Sequence, residues 1–287
     1  MLPFPDRLID WKVRATWHDA VSAWINAEAE ADVVGSVAAL GEQDLCWDDP
    51  TWLEQLSACL DFHYEGLLEP MADWLSAWSI RVYHGGRVED AACYARHGLL
   101  RSRTEALDAQ VRRIVGEEDD LAWMRPGLDE RLAAWPRRNR DDGWLHVAID
   151  GRVQHDEDGS SSHYMLYGSE WIFAFLGPPA WPVLRRRGVA TMAMFDLPLA
   201  WVSPQCREEF AEALLQEWCH ATVNRRDWTP ARDWTFSLQF DLPPETYVGH
   251  SHPRALVDTH GGGVSRRQRE AICPSCFSQP TPVASNG

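Results

Sequence analysis

The sequence predicts an α+β protein, with a helical, tryptophan-rich N-terminal region followed by a core that mixes strands and helices. Two observations carry this. Apolar residues recur at spacings of three and four from residue 9 to about 79, and the texture then switches to short β-branched and aromatic runs bounded by glycine. Hydrophobic residues make up 45% of the 287, which is enough for a sizeable core and argues against wholesale disorder.

In the N-terminal region, Trp11, Val13, Trp17, Val21, Trp24 and Ile25 fall on one helical face, and Trp52, Leu53, Leu56, Leu60, Leu67, Leu68, Met71, Trp74, Leu75 and Trp78 continue the pattern. The reading for these tryptophans is helix packing. Asp49-Pro50-Thr51 marks a helix start. A strand follows over Ile80–His84, then a helix over 88–97 that Gly98 stops, and a helical stretch over 105–135 broken at Pro126-Gly127. Beyond a charged connector, Leu145–Ile149 and His163–Tyr167 read as strands, and Gly168-Ser169-Glu170 opens an apolar helix ending near Leu176. Ala190–Leu197 reads as a strand, Glu208–Val223 as a helix and Thr235–Leu242 as a further strand. Domain limits follow as 1–79, 80–260 and a flexible tail over 261–287 that carries one C-x-x-C.

Twenty-seven basic against 43 acidic residues give a net charge of −16, which disfavours broad coating of nucleic acid but not recognition of one nucleotide in a pocket. No apolar run reaches the roughly 18 residues that cross a bilayer, and the first residues lack a signal-peptide pattern. Seven scattered cysteines suit a reducing, cytoplasmic setting better than a disulfide framework.

Four constellations bear on chemistry. In Ile80-Arg81-Val82-Tyr83-His84-Gly85-Gly86-Arg87, a strand ends on a histidine beside backbone without Cβ, which presents a ring to a ligand that can approach the main chain; a strand-end histidine satisfied by backbone is the plainer account. In Tyr164-Met165-Leu166-Tyr167-Gly168-Ser169-Glu170, Ser169 and Glu170 suit a helix N-cap and first turn, or Tyr167 stacks on a planar ring while Glu170 steers a developing positive charge. His250, His252 and His260 invite a metal reading but lack a recognised spacing, and a structured turn accounts for them. Cys273-Pro274-Ser275-Cys276 supplies two zinc ligands where a structural site wants four, so no metal site is assigned. The arginines at 185–187, 225–226 and 266–267 read as a solvated face, or as a local basic groove. P-loop, Rossmann, α/β-hydrolase and zincin motifs are absent.

Tyr83-His84-Gly85-Gly86, followed by Gly98-Leu99, resembles the ADP-ribosyltransferases, and within them the histidine-first, DNA-targeting and poly(ADP-ribose)-polymerase-like branch. The resemblance covers roughly residues 80 to 255 and implies a split β-sheet core with NAD as substrate. It implies that Tyr83, His84, Gly85, Gly86 and Ser169 contact NAD, that His84 orients the ribose, that Tyr167 (or Tyr164) stacks on nicotinamide and that Glu170 stabilises charge. Gly86 stands where the family more often has threonine. The family's late strand glutamate has no counterpart, since Asp233-Trp234-Thr235-Phe236 stands there, and Glu170 is preferred over Glu245 and Asp233 as the acid. The implied activity is ADP-ribosyl transfer to a protein or nucleic-acid acceptor, by a toxin or phage-defence effector. The alternatives are a catalytically degenerate interaction or immunity protein on the same fold, and a small zinc-binding regulator built on Cys273, Cys276 and histidines.

Overall fold

The computed structural model describes residues 7–46, 48–136, 139–154, 161–230, 234–268 and 273. Its first elements are β1 (Leu8–Ile9), α1 (His18–Glu28), α2 (Val33–Ala38), α3 (Thr51–Ala58) and α4 (Leu68–Leu75). There follow β2 (Ser79–Val88), α5 (Ala92–His97), α6 (Thr104–Glu117), α7 (Leu128–Ala133), β3 (Leu145–Ala148), α8 (His163–Tyr167), α9 (Glu170–Leu176) and α10 (Trp181–Arg186). The last are β4 (Val189–Pro198), α11 (Pro204–Val223), β5 (Thr235–Leu238), β6 (Tyr247–Ser251), β7 (Ala255–Asp258) and β8 (Val264–Arg267). The protein is thus a mixed helix and antiparallel-sheet structure, of the α+β class.

The chain divides into two compact units, Met1–Val82 with Asp196–Phe236, and Tyr83–Phe195 with Ser237–Gly287. The first joins the helical N-terminal region to α11, which packs against α1, α2, α3 and α4. Pro204 at the first helical position and the Ser203 hydroxyl, which accepts from the Cys206 N–H, start α11. Phe210, Leu214, Leu215, Trp218 and Ala221 are all fully buried, so α11 is apolar on several sides, as a central helix must be. Trp11, Trp17 and Trp52 are fully buried too. Trp11 and Trp17 stack at 5.8 Å, and Phe210 lies 5.3 Å from Phe236. Trp11, Trp17 and Trp52 are therefore packing residues.

The second unit holds the greater part of a sheet in the order β5-β3-β2-β4-β6, and β1 pairs with the first residues of β2 within the first unit. Tyr83 on β2 pairs antiparallel with Ala148 on β3, and β4 pairs antiparallel with β6, with Ala193 opposite His250. Its core collects Tyr83 from β2, Val111 and Ile114 from α6, Met165 and Leu166 from α8, Ile172 from α9 and Leu184 from α10. Gly98 ends α5 with φ +71°, and a Cβ there would run into the Leu242 carbonyl, where Leu99 and Leu242 exchange backbone hydrogen bonds.

Two expectations change. His163–Tyr167 is a helix, not a strand, because its short run of apolar residues fits either period and burial of Met165, Leu166 and Tyr167 together selects one helical turn. Val264–Arg267, expected within a flexible tail, forms β8 in an antiparallel pair with β7.

Candidate functional site

His84 lies within β2 rather than at its end, since the strand continues to Val88. Its Nδ1 lies 3.1 Å from the His146 carbonyl on β3, which fixes the ring by an Nδ1–H donation and leaves Nε2 as the acceptor. Burial pushes its pKa down, so the ring is neutral near neutral pH. The glycines beside it are covered from within the protein. A Cβ at Gly85 would collide with the Gln154 amide oxygen and press on Met165, and one at Gly86 would touch the Tyr94 hydroxyl at 3.4 Å. The bare backbone thus accommodates the protein's own side chains.

Strand alternation places Tyr83, Gly85 and Arg87 on one face of β2, and His84 and Gly86 on the other. Tyr167 belongs to the first of these faces, because α8 covers Gly85 through Met165 and Arg87 donates to the Met165 carbonyl. The structure brings Tyr83, Gly85 and α8 together, and it sets His84 on the opposite face.

Tyr167 is itself engaged. Its ring stacks on Phe173 at 4.7 Å, and its hydroxyl donates to Asp258 at 2.7 Å. Burial, then the bond to Asp258, pushes its pKa up to about 12. Glu170 opens α9, where Gly168, at φ +97°, makes the turn from α8. Ser169 occupies the N-cap position without a side-chain cap bond. Arg140 donates to Glu170 at 2.8 Å and the Tyr164 hydroxyl donates to it at 3.2 Å, and the Arg140 bond holds the carboxyl below its usual range. Glu245 is exposed, in the turn before β6. Asp233 lies outside the described residues.

The second unit forms a cavity of about 630 Å³ lined by Arg87, Arg185, Arg186, Arg266, Arg267 and His252. Arg87 donates to four backbone carbonyls, those of Met165, Arg185, Arg187 and Gly188, and to the Gln268 side chain. Among the described residues it has no carboxylate partner, and burial with the neighbouring Arg185 pushes its pKa down to about 10. Asp258, whose side chain has 0% exposure, accepts from Tyr167, Arg185 and Arg266. Arg186 pairs with Glu118 and Asp120. Arg267 is exposed and has no ion pair among the described residues. Setting Arg186 aside, the one carboxylate paired with these arginines among the described residues is Asp258, which bonds Arg185 and Arg266. The arginine pairs at 185–186 and 266–267 were the sequence signal for this groove; Arg87 and Asp258 gave none, because Arg87 meets only residues far away in the chain and Asp258 meets Tyr167 and Arg185 across the fold.

His250, His252 and Cys273 bring their donor atoms within 4.8 Å of one another, whereas His260 packs on Phe173 and His163 instead. Cys276 lies outside the described residues. No protein-family model matches the chain, and comparison with curated proteins and with solved structures finds no match.

Proposed function

We propose that the protein binds NAD in the arginine-lined cleft and holds it without turnover. The observation that carries this reading is the excess of guanidinium over carboxylate in a cavity of about 630 Å³ within a chain of net charge −16. Such a cleft attracts a diphosphate, and arginine matches phosphate oxygens in fork geometry. The separation of His84 from Tyr167 and Glu170 across β2 supports binding over ADP-ribosyl transfer, because the implied reaction needs all three on one ligand. The engagement of Glu170 by Arg140 supports the same reading, since a carboxylate that stabilises an oxocarbenium-like charge must face it. The described cysteines are free thiols, which supports a reducing, cytoplasmic setting.

A second reading, transfer of ADP-ribose to a protein or nucleic-acid acceptor on a split-sheet transferase core, is favoured by one observation. The His146 carbonyl fixes the His84 ring in the tautomer whose Nε2 can accept from a ribose hydroxyl.

Calorimetric titration with NAD, run beside an assay for free nicotinamide, separates the two. Binding that weakens with salt, weakens about two- to fivefold in Arg267→Ala and releases no nicotinamide supports the first reading. Nicotinamide release that disappears in His84→Ala establishes the second. Absence of NAD binding overturns both.

A further inference from the structure

We propose that His250, His252 and Cys273 bind one zinc ion. The argument does not use the nucleotide reading, although His252 also lines the arginine cleft, and it rests on four observations.

First, the donors converge from two distant parts of the sequence. His250 and His252 stand two residues apart where β6 ends, so strand alternation sends both rings to one side, and Cys273 meets them there, buried. Their ligand atoms all lie within 4.8 Å of one another. Second, the spacing fits. His250 Nε2 and Cys273 Sγ are 3.4 Å apart. A tetrahedral zinc with Zn–N near 2.05 Å and Zn–S near 2.3 Å separates such a pair by about 3.6 Å.

Third, both rings present Nε2 inward because Nδ1 is held from behind. His252 Nδ1 donates to the Ala190 carbonyl at 2.8 Å, with the Thr191 hydroxyl at 3.3 Å. His250 Nδ1 meets the Tyr247 hydroxyl at 2.5 Å. A metal-bound histidine almost always has its other ring nitrogen held in this way, which sets the tautomer and the ring orientation. Fourth, His252 Nε2 is buried and has no hydrogen-bond partner among the described residues. A buried acceptor beside two other ligand atoms, with no hydrogen-bond partner among the described residues, is accounted for by a cation.

Two imidazoles and a thiol make a borderline-soft donor set that suits zinc and excludes magnesium and calcium, which take oxygen ligands. On binding, the Cys273 thiol releases its proton to solvent and coordinates as thiolate, while both imidazoles coordinate neutral, so uptake of Zn²⁺ liberates one proton from these three donors. The ion would tie the chain after β8 to the end of β6.

The test uses the full chain, purified under reducing conditions and reconstituted with zinc or cobalt. One zinc per chain is expected by elemental analysis, with a thiolate-to-cobalt charge-transfer band in the cobalt form. Cys273→Ser should abolish that band, and His252→Ala should lower metal content on the order of tenfold or more. Tyr247→Phe, which removes only the group behind His250, should weaken zinc affinity about tenfold. His260→Ala should keep full zinc content. Wild-type protein that takes up no zinc, or a cobalt form without the thiolate band, overturns the proposal, and both readouts stand even where a variant does not fold. Loss of zinc in His260→Ala with retention in Cys273→Ser overturns this ligand set.

Discussion

In the first unit the buried surface of α11 is apolar and aromatic, and its buried polar groups are held largely by neutral partners. His18 Nε2 lies 3.0 Å from the Thr222 hydroxyl, and Glu217 accepts from the Trp228 indole at 2.7 Å, with His220 Nδ1 3.4 Å away. In the second unit a carboxylate with no exposure lies between two guanidiniums, and a third guanidinium nearby is held by carbonyls alone. The contrast separates stability from readiness to bind. The buried carboxylate of the aromatic unit is Glu217, whose Oε2 has no hydrogen-bond partner among the described residues. A network with excess positive charge costs folding energy that an anionic ligand offsets, so charge buried without full compensation points to where a ligand sits.

The largest effect should come from Phe210→Ala in the first unit. Phe210 is fully buried against Trp11 and Phe236, and truncating such a ring costs about 3–5 kcal/mol, read as a fall in the urea midpoint. A loss under about 1 kcal/mol would remove α11 from the centre of that unit. The next effect belongs to the second unit and has two signs. Asp258→Asn keeps the shape but leaves Arg185 and Arg266 without their carboxylate. Their side chains are 26% and 34% exposed, so the cost should be about 2 kcal/mol rather than the full penalty of a sealed ion pair. The same change raises the positive excess in the cleft, so NAD should bind more tightly to a less stable protein. A variant that is weaker in both respects would show that Asp258 shapes the cleft instead of tempering its charge.

Local signals in the sequence were legible where the physics is local. Gly98 ends α5, Gly168 turns α8 into α9, and the strand around Tyr83 and the helix beginning near Glu105 follow from periodicity and stop signals. His163–Tyr167 was not legible, because five residues cannot separate period 2 from period 3.6. The candidate sites depend on long-range pairing. Arg87 meets residues 78 to 181 positions away in sequence, and Cys273 joins His250 on β6 and His252 just past it only after the chain has formed β7 and β8. The motif around His84 was visible, but its isolation from Tyr167 follows from which helix covers which face of β2, and no spacing records that.

The smallest effect sharpens the comparison through pH. Burial lowers the His18 pKa below its ordinary value of 6.5, despite the opposing hydrogen bond to Asp19. The folded chain therefore keeps this ring neutral where the unfolded chain begins to take up a proton. The unfolded state binds more protons between the two values, so stability is complete above about pH 6.5 and is lost as pH falls toward the folded value. The slope from one such group is at most about 1.4 kcal/mol per pH unit. Asp258 does not contribute in that window, because the hydrogen bonds from Tyr167, Arg266 and the Gly261 N–H outweigh its burial and hold it below the usual carboxylate range. His84 and His250, also lowered by burial, titrate alike in wild type and variant, so the difference between the two isolates His18. Urea midpoints of wild type and His18→Gln between about pH 8 and about pH 5.5 should diverge, with the variant showing the shallower acid loss. Identical slopes would mean that His18 is protonated in the folded unit, and that its place between Trp17 and Trp218 is a charged one after all.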